Sequence, residues 1–291
     1  MYPDNLFELF GQGVNLYGIF IAVGILACFI VFFFYGKKDG MDADLQSFIF
    51  YVAIIAIVLG FVSAKFFQAI YNWIETGKFD FASAGITVMG GLLGGAGAFL
   101  LAYFLGGKFY FTGKKKGIHI KQFGKILRLA PLCIIIAHAF GRISCLMVGC
   151  CHGAYLGQEY VFGGVWMHTS KHGWGYHVPT QLYESLFLFA LFAVLSVLYF
   201  KKSTLILPIY LISYGVWRMI IEIFRTDARG AVVLGLQPSQ WMSILFVAIG
   251  VGLILLYYFK KIPFKEKPEV AEETEKTEEN TENSQENTPK N

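Results

Sequence analysis

Charged side chains are scarce in this 291-residue chain, at 15% of the residues against 56% hydrophobic. With a mean hydropathy of +0.55, this composition excludes an ordinary soluble domain and is typical of a polytopic membrane protein. Lys and Arg are absent from residues 1–15, so no basic region of a signal peptide is evident and we expect no cleavable signal. The net charge of +4 indicates no nucleic-acid partner, because the basic residues cluster in loops between apolar segments.

The sequence also lacks the even set of cysteines that a disulfide framework requires. Its five cysteines are an odd number, and the Cys-X-X-Cys motif of thiol redox proteins is absent. Three of them, Cys145, Cys150 and Cys151, crowd into one short stretch and are followed by His152. This crowding predicts a local site rather than a set of disulfide bridges.

Seven apolar segments are long enough for membrane helices, which need about 20 residues each. They lie at roughly 15–35, 46–70, 86–106, 129–148, 181–200, 204–224 and 239–259. Lys and Arg concentrate in alternate loops, after the first, third, fifth and seventh segments, which marks those loops as cytoplasmic. We therefore predict an all-α fold with seven transmembrane helices, an outside N-terminus and a cytoplasmic C-terminus. Residues 1–264 form the membrane domain, and the acidic, polar stretch 265–291 is expected to be a disordered tail.

Polar side chains inside the apolar segments are predicted to converge on the outer leaflet. An ionised group in hydrocarbon costs about 2.5–3.5 kcal/mol on insertion scales, so such residues are functional by default. This topology brings eight of them to the same depth on five segments, which predicts a shared polar pocket. They are Lys65, Arg142, Gln181, Glu184, Arg218, Glu222, Arg225 and Gln240.

The arginines predict an anion site. Arg142, in Gly141-Arg142-Ile143, keeps its charge and needs a carboxylate or a phosphate as partner. The spacing of Arg218, Glu222 and Arg225 places all three on one helix face, where Glu222 could orient one arginine while the other binds a ligand. The alternative is purely structural pairing, with Arg142 held by Glu184 or Glu222.

Two further motifs are candidates for substrate contact. Gln181 and Glu184 share a face at the start of a helix after Pro179, and they could contact a glycerol hydroxyl or only satisfy an arginine. Gly90 and Gly91 could open a groove for an acyl chain or headgroup, or could serve tight helix packing.

The Cys145, Cys150, Cys151 and His152 cluster allows three interpretations. Small buried cysteines could simply pack a glycine-rich helix end. A thiolate activated by His152 could act as a nucleophile. A metal site or a vicinal disulfide is the third, and we discount zinc because adjacent cysteines rarely ligate one metal.

These motifs, in this order and topology, resemble the bacterial prolipoprotein diacylglyceryl transferases over about residues 14–260. The resemblance rests on the motifs at residues 141–143, 181–184 and 218–225, and on Gln240-Trp241. It implies transfer of a diacylglyceryl group from phosphatidylglycerol to the lipobox cysteine of a prolipoprotein, at the outer leaflet of the bacterial plasma membrane. The implied partners are that phospholipid, lipobox signal peptides and membrane lipid, with no cofactor and no metal.

The resemblance also assigns roles. It implies that Arg142 and Arg218 hold the donor phosphate, oriented by Gln181, Glu184 and Glu222, and Tyr17 and Gly153 match functional family positions. The chain departs from the family at Met89, where a histidine proposed as the base is usual, and at Cys145, Val148 and Cys150. His152 and His177 are the alternative bases. Competing functions are transfer to another acceptor, transport of a phospholipid headgroup without chemistry, and thiol redox activity.

Overall fold

The computed structural model describes residues 6–9, 12–169, 171–225 and 235–260. In this part of the chain, seven helical segments are long and apolar enough to cross a membrane. The predicted tail at 265–291 lies outside the described residues, as does Arg229. The division into a membrane domain and a tail therefore stays a prediction.

The helices follow the predicted order. They are α1 (Leu16–Lys38), α2 (Ala43–Thr76), α3 (Val88–Leu101), α4 (Gly107–Tyr110), α5 (Ile118–Lys121), α6 (Phe123–Val148), α7 (Thr180–Phe200), α8 (Ile206–Ile223) and α9 (Pro238–Phe259). A π-helical turn, Ala102–Gly106, joins α3 to α4, so the third crossing runs as Gly90–Tyr110. The seven predicted segments are confirmed, with boundaries that shift by a few residues and a second helix that begins earlier and ends later than expected.

Short strands are an addition that the helical prediction did not include. β1 (Phe7–Leu9) and β2 (Gln12–Val14) pair antiparallel before α1. Between α6 and α7, β3 (Tyr155–Gly157), β4 (Val165–Thr169) and β5 (Gly173–His177) form an antiparallel sheet in the order β3-β5-β4. The three strands of this loop are only three to five residues long. Such short stretches carry too few alternations of side-chain type for the sequence to indicate strands reliably.

The chain divides into two compact units. The larger unit contains the described parts of residues 1–28 and 130–291, and the smaller unit is residues 29–129. Both α1 and α6 contribute to each unit.

In the smaller unit, glycines bring α2 and α3 into close contact. A Cβ on Gly90 would lie 2.6 Å from Phe67 Cβ, and one on Gly94 would lie 2.1 Å from Ser63 Oγ. Ser63 Oγ donates a hydrogen bond to the Gly90 carbonyl at 2.9 Å. The tight-packing interpretation holds at Gly90 and Gly94, where no larger residue fits, whereas a Cβ on Gly91 would make an ordinary contact with Ala64 at 3.4 Å.

A buried ion pair in the smaller unit joins the residue after α1 to the first turns of α6. Arg128 Nη2 lies 2.6 Å from Asp39 Oδ2, and their side chains are 3% and 1% exposed. Nearby, Asp42 caps α2 by accepting from the backbone N–H groups of Asp44 and Leu45. Burial is the largest single influence on the pKa of Asp42 and raises it, but hydrogen bonds from Leu45, Lys115 and Asp44 and the charge of Lys115 together lower the pKa below its usual value. These contacts fix the turn between α1 and α2.

In the larger unit, the helices that carry the polar motifs pack through small residues. A Cβ on Gly215 of α8 would lie 2.9 Å from the Ser243 carbonyl of α9. Ser185 Oγ of α7 donates to the Ala139 carbonyl of α6 at 3.1 Å. These close contacts bring α6, α7 and α8 together around their polar residues.

Candidate active site

Glu184 is the centre of the polar cluster. Its side chain is fully buried in the first turns of α7, and its Oε2 lies 3.0 Å from Arg142 Nε and 3.6 Å from Arg218 Nη1. Tyr214 donates its hydroxyl to Glu184 Oε1 at 3.1 Å. One carboxylate therefore neutralises part of two guanidinium charges from two other helices, and the expected pairing of Arg142 with Glu184 is confirmed.

The second carboxylate serves Arg218 from within its own helix. Glu222 Oε2 lies 2.8 Å from Arg218 Nη2, one helical turn apart, and both side chains are almost buried. Arg225 departs from the predicted helix face, because α8 ends at Ile223. Its backbone N–H bonds to the Glu222 carbonyl in a tightened turn, and its backbone bridges Gly153. The predicted shared helix face is therefore confirmed for Arg218 and Glu222. Arg225 lies beyond the end of the helix.

Two members of the cluster were not predicted as site residues. His138 Nε2 lies 3.8 Å from Glu184 Oε1, and its ring packs edge-on against Tyr214 at 5.2 Å between centroids. Their spacing in the sequence could have identified them. His138 precedes Arg142 by four residues and Tyr214 precedes Arg218 by four, so each shares a helix face with its arginine.

The start of α7 holds the loop that follows α6. Gln181 Nε2 donates to the Cys150 carbonyl at 2.5 Å, and Thr180 Oγ1 donates to the Cys151 carbonyl at 2.8 Å. Gly153 N–H then bonds to the Val178 carbonyl at 2.9 Å. Gln181 Oε1 is buried without a hydrogen-bond partner among the described residues. Gln181 therefore positions this loop, and its other polar atom is aimed into the protein interior.

Gly153 occupies a position that excludes any side chain. A Cβ there would lie 2.6 Å from the Phe224 carbonyl oxygen and 2.9 Å from Val178 Cβ. The glycine lets the loop reach the end of α8. Gly141 differs, since a Cβ at that position meets no atom within 4 Å. The space beside Gly141 is open next to Arg142.

The three clustered cysteines come together as free thiols. The sulfur atoms of Cys145, Cys150 and Cys151 all lie within 4.8 Å of one another. Hydrogen bonds from Cys145 and Cys150 lower the pKa of the Cys151 thiol, assisted by the positive charge of Arg225. Hydrogen bonds with Cys145 and Cys151, together with burial, raise the pKa of the Cys150 thiol.

The two alternative bases have different surroundings. His152 Nδ1 lies 2.8 Å from the Gly153 carbonyl, which only accepts, so Nδ1 carries the proton and Nε2 keeps its lone pair. His177 is fully buried, with Nδ1 at 3.1 Å from the Gly175 carbonyl and Nε2 at 3.4 Å from Thr169 Oγ1. Burial lowers the pKa of His177. Among the residues that the structure describes, His152 Nε2 has no hydrogen-bond partner, whereas both nitrogens of His177 have one.

The remaining candidates separate into the two units. Tyr17, in the first turn of α1, is 39% exposed and lies within electrostatic reach of Arg142 and the three cysteines. Gln240 caps α9, with its Oε1 accepting from the Gln237 backbone, so its position is explained locally. Gly90 and Gly91 belong to the smaller unit, where Lys65 lies 5.3 Å from the centroid of the Phe81 ring. Their place in a shared pocket stays a prediction.

The larger unit thus combines membrane-crossing helices with a cluster of two arginines and two glutamates, Arg142, Arg218, Glu184 and Glu222. Guanidinium groups suit bidentate contacts with phosphate, and a fixed cationic site can stabilise negative charge on a leaving group. The fold defines a polytopic membrane protein, and the cluster places two arginines beside one buried carboxylate.

Comparison with known proteins identifies the family. Residues 4–256 match the family described as prolipoprotein diacylglyceryl transferase, and the chain belongs to this family. The phosphatidylglycerol–prolipoprotein diacylglyceryl transferase of Clostridium tetani is 33% identical over 264 residues, covering 88% of this chain and 98% of that protein. The enzyme of the same name from Clostridioides difficile is 30% identical over 279 residues, covering 92% and 98%. That from Streptococcus sanguinis is 30% identical over 268 residues, covering 87% and 95%.

Proposed function

We propose that this protein transfers the diacylglyceryl group of phosphatidylglycerol to the lipobox cysteine of prolipoproteins, in lipoprotein biosynthesis. The observation that carries this is the arrangement of Arg142 and Arg218 around the single buried carboxylate of Glu184. Family membership over residues 4–256 supports the same reaction, as do the names of the relatives.

The protein crosses the bacterial plasma membrane seven times in this proposal, with its N-terminus outside. The basic residues support the orientation, since they gather in the loops after alternate helices. They are Lys37, Lys38, Lys108, Lys114, Lys115, Lys116, Lys121, Lys125, Arg128, Lys201, Lys202, Lys260, Lys261, Lys265 and Lys267. The start of α7, with Gln181 and Glu184, then lies at the outer leaflet, where prolipoprotein signal peptides and the donor lipid meet.

Charge favours a phosphate at this cluster. Arg142 and Arg218 both contact Glu184, and Arg225 adds a positive charge within electrostatic reach of that carboxylate. Arg142 contacts Glu184 through Nε, which is compatible with a second anion at its terminal nitrogens. The side chain of Arg142 is 14% exposed. Arg142 and Arg218 bind the donor phosphate, with Glu184 and Glu222 fixing their orientation.

The reaction is a displacement at the glycerol carbon that bears the phosphate ester. The acceptor thiolate forms the C–S bond while the C–O bond to phosphate breaks, and glycerol phosphate leaves with the electron pair. The arginines stabilise the charge on that leaving group. His152 Nε2 receives the thiol proton, since its lone pair is uncommitted. Tyr17 and Gly153 shape the substrate site, as the family resemblance implies.

The test uses the purified full-length protein in detergent with phosphatidylglycerol and a lipobox peptide, read by mass spectrometry. The peptide should gain one diacylglyceryl mass, and a peptide with serine in place of the lipobox cysteine should gain none. Arg142→Ala should abolish the product, whereas Arg128→Ala, a buried arginine in the smaller unit, should retain it per folded molecule.

Two outcomes would overturn the proposal. An unmodified peptide despite phosphatidylglycerol binding that needs Arg142 would indicate a different acceptor or transport without chemistry. Undiminished product with the folded Arg142→Ala variant would remove the arginine cluster from the reaction.

A further inference from the structure

The thiol cluster, defined by Cys145, Cys150 and Cys151, is not used by the proposed reaction. Its three sulfur atoms lie within 4.8 Å of one another. In a tetrahedral zinc site the Zn–S distance of about 2.3 Å places sulfur atoms ~3.8 Å apart. A contraction of about 1 Å at most would therefore bring all three sulfurs into ligand positions around one ion.

The backbone explains how two adjacent cysteines reach one point. Successive side chains of an extended chain face opposite directions, which is why neighbouring cysteines rarely share an ion. Here Gly149 and Cys151 both have positive φ, 71° and 66°. The Cys150 N–H bonds back to the Cys145 carbonyl at 3.1 Å. The chain therefore reverses, and both thiols turn toward the end of α6.

Cys151 is an unusual residue to hold this conformation. A left-handed φ strains most side chains other than glycine. Only Cys151 and Lys202 adopt it among the non-glycine residues that the structure describes. A strained backbone conformation of this kind persists only where the surrounding structure enforces it. At Cys151 this conformation sets the direction of a thiol side chain.

The start of α7 provides that enforcement. Gln181 donates to the Cys150 carbonyl at 2.5 Å, and Thr180 donates to the Cys151 carbonyl at 2.8 Å. Both donor side chains are buried, at 1% and 0% exposure. The cysteine backbone is thus clamped from a rigid helix, as a preorganised ligand set requires.

Charge and access also suit an ion bound by thiolates. A divalent ion displaces one proton from each thiol, so three thiols and the ion give a complex of net charge −1 and three released protons. Arg142 and Arg225 lie within electrostatic reach of Cys151 and would offset that charge. The three cysteines are partly exposed, which gives an ion a route in.

We propose that Cys145, Cys150 and Cys151 form a binding site for one thiophilic d10 metal ion, of which Zn²⁺ is the representative. Soft sulfur ligands select such ions over Mg²⁺ or Ca²⁺. His152 is left out of the ligand set, because the group of ligand atoms that lie within 4.8 Å of one another contains the three cysteines and not its ring nitrogens. Three protein ligands leave the fourth tetrahedral position to a non-protein ligand. The proposal departs from the sequence analysis, which discounted zinc at adjacent cysteines.

The experiment titrates purified, reduced, chelator-washed protein with Zn²⁺ against a chromogenic chelator, and follows Co²⁺ binding by its thiolate charge-transfer absorption. Full-length protein should bind one ion per chain. Each of Cys145→Ala, Cys150→Ala and Cys151→Ala should weaken binding by at least about 10-fold, as loss of a ligand does more than loss of its supporting contacts. Zn²⁺ should also protect these three thiols from alkylation, reversibly on chelation.

The matched control is the double variant Cys28→Ala/Cys133→Ala, which removes the other two cysteines and should bind Zn²⁺ as the unaltered protein does. Circular dichroism and thermal melting verify that every variant is folded. The readout is metal content, so it does not depend on transfer activity. The proposal is wrong if the reduced protein binds no Zn²⁺, if binding survives removal of all three cysteines, or if the control loses it.

Discussion

Two buried arginine–carboxylate arrangements, one in each unit, differ in the access that their arginines keep. In the smaller unit, Arg128 Nη2 lies 2.6 Å from Asp39 Oδ2, and both side chains have almost no exposed surface. In the larger unit, Arg142 and Arg218 share Glu184 at 3.0 and 3.6 Å, and the Arg142 side chain is 14% exposed. The closed pair stabilises a turn, whereas the shared carboxylate holds two arginines of which one remains accessible.

The difference shows that a buried charge does not by itself identify a functional site. Burying a charge is costly in both places, so both arrangements need partners. The remaining access at Arg142, which Arg128 lacks, separates the proposed ligand site from the structural pair.

Breaking the shared carboxylate should have the largest effect. Glu184→Gln leaves Arg142 and Arg218 without their common counter-charge, and we expect destabilisation by about 3–5 kcal/mol with loss of transfer by at least about 100-fold. Thermal unfolding and the peptide assay measure the two effects separately. Full activity in this variant would show that arginine orientation by Glu184 is irrelevant.

Breaking the Arg128–Asp39 ion pair should lower the stability of the fold and leave transfer activity unchanged. Arg128→Ala leaves Asp39 buried without this partner and should cost about 3–5 kcal/mol. The double variant Arg128→Met/Asp39→Leu should recover most of that, because two apolar side chains of similar volume replace both charges. Transfer per folded molecule should be unchanged in both. A selective loss of transfer would give this pair a functional role.

Helix packing in the smaller unit gives the next effect. Gly94→Ala places a Cβ 2.1 Å from Ser63 Oγ, and overpacking of this kind costs about 1–3 kcal/mol. Gly97→Ala is the matched control on the same helix, since a Cβ there meets no atom within 4 Å. Chemical denaturation of both variants should separate them. Equal stability would contradict the close approach of α2 and α3.

The smallest effect concerns the cap of α2. Asp42→Ala removes an acceptor for two backbone N–H groups and should cost about 1 kcal/mol. Because the pKa of Asp42 is lowered in the folded protein, its contribution is complete above the unfolded value of about 3.9 and is lost as pH falls through the folded pKa. Thermal melts at neutral and acidic pH should show the variant's deficit shrinking in acid. A constant deficit would contradict a charged cap.

The lengths of the hydrophobic segments and the uneven distribution of Lys and Arg among the loops predicted the seven helices. A membrane constrains both features in a protein that spans it. Helical spacing also predicted the Arg218–Glu222 pair. Spacing did not place Arg225, since a tightened turn ends α8 before it, and it gave no signal for strands of three to five residues.

The cysteine cluster was the least predictable element of the site. Its geometry depends on a left-handed turn at Cys151 and on clamps from Thr180 and Gln181, about thirty residues away in sequence. Local sequence rules address neither feature. The grouping of Glu184 with two arginines was expected, but Tyr214 and His138 were not recognised beside it.

The central claim is that the arginines around Glu184 bind the donor phosphate. Its most direct test is the affinity of the purified protein for phosphatidylglycerol, measured by titration in detergent micelles or nanodiscs with an uncharged diacylglycerol as the control lipid. Arg142→Ala should weaken phosphatidylglycerol binding by at least about 10-fold, leave the uncharged lipid unaffected, and differ from Arg128→Met/Asp39→Leu, which should bind as the unaltered protein does. Unchanged phosphatidylglycerol affinity in folded Arg142→Ala would contradict the claim.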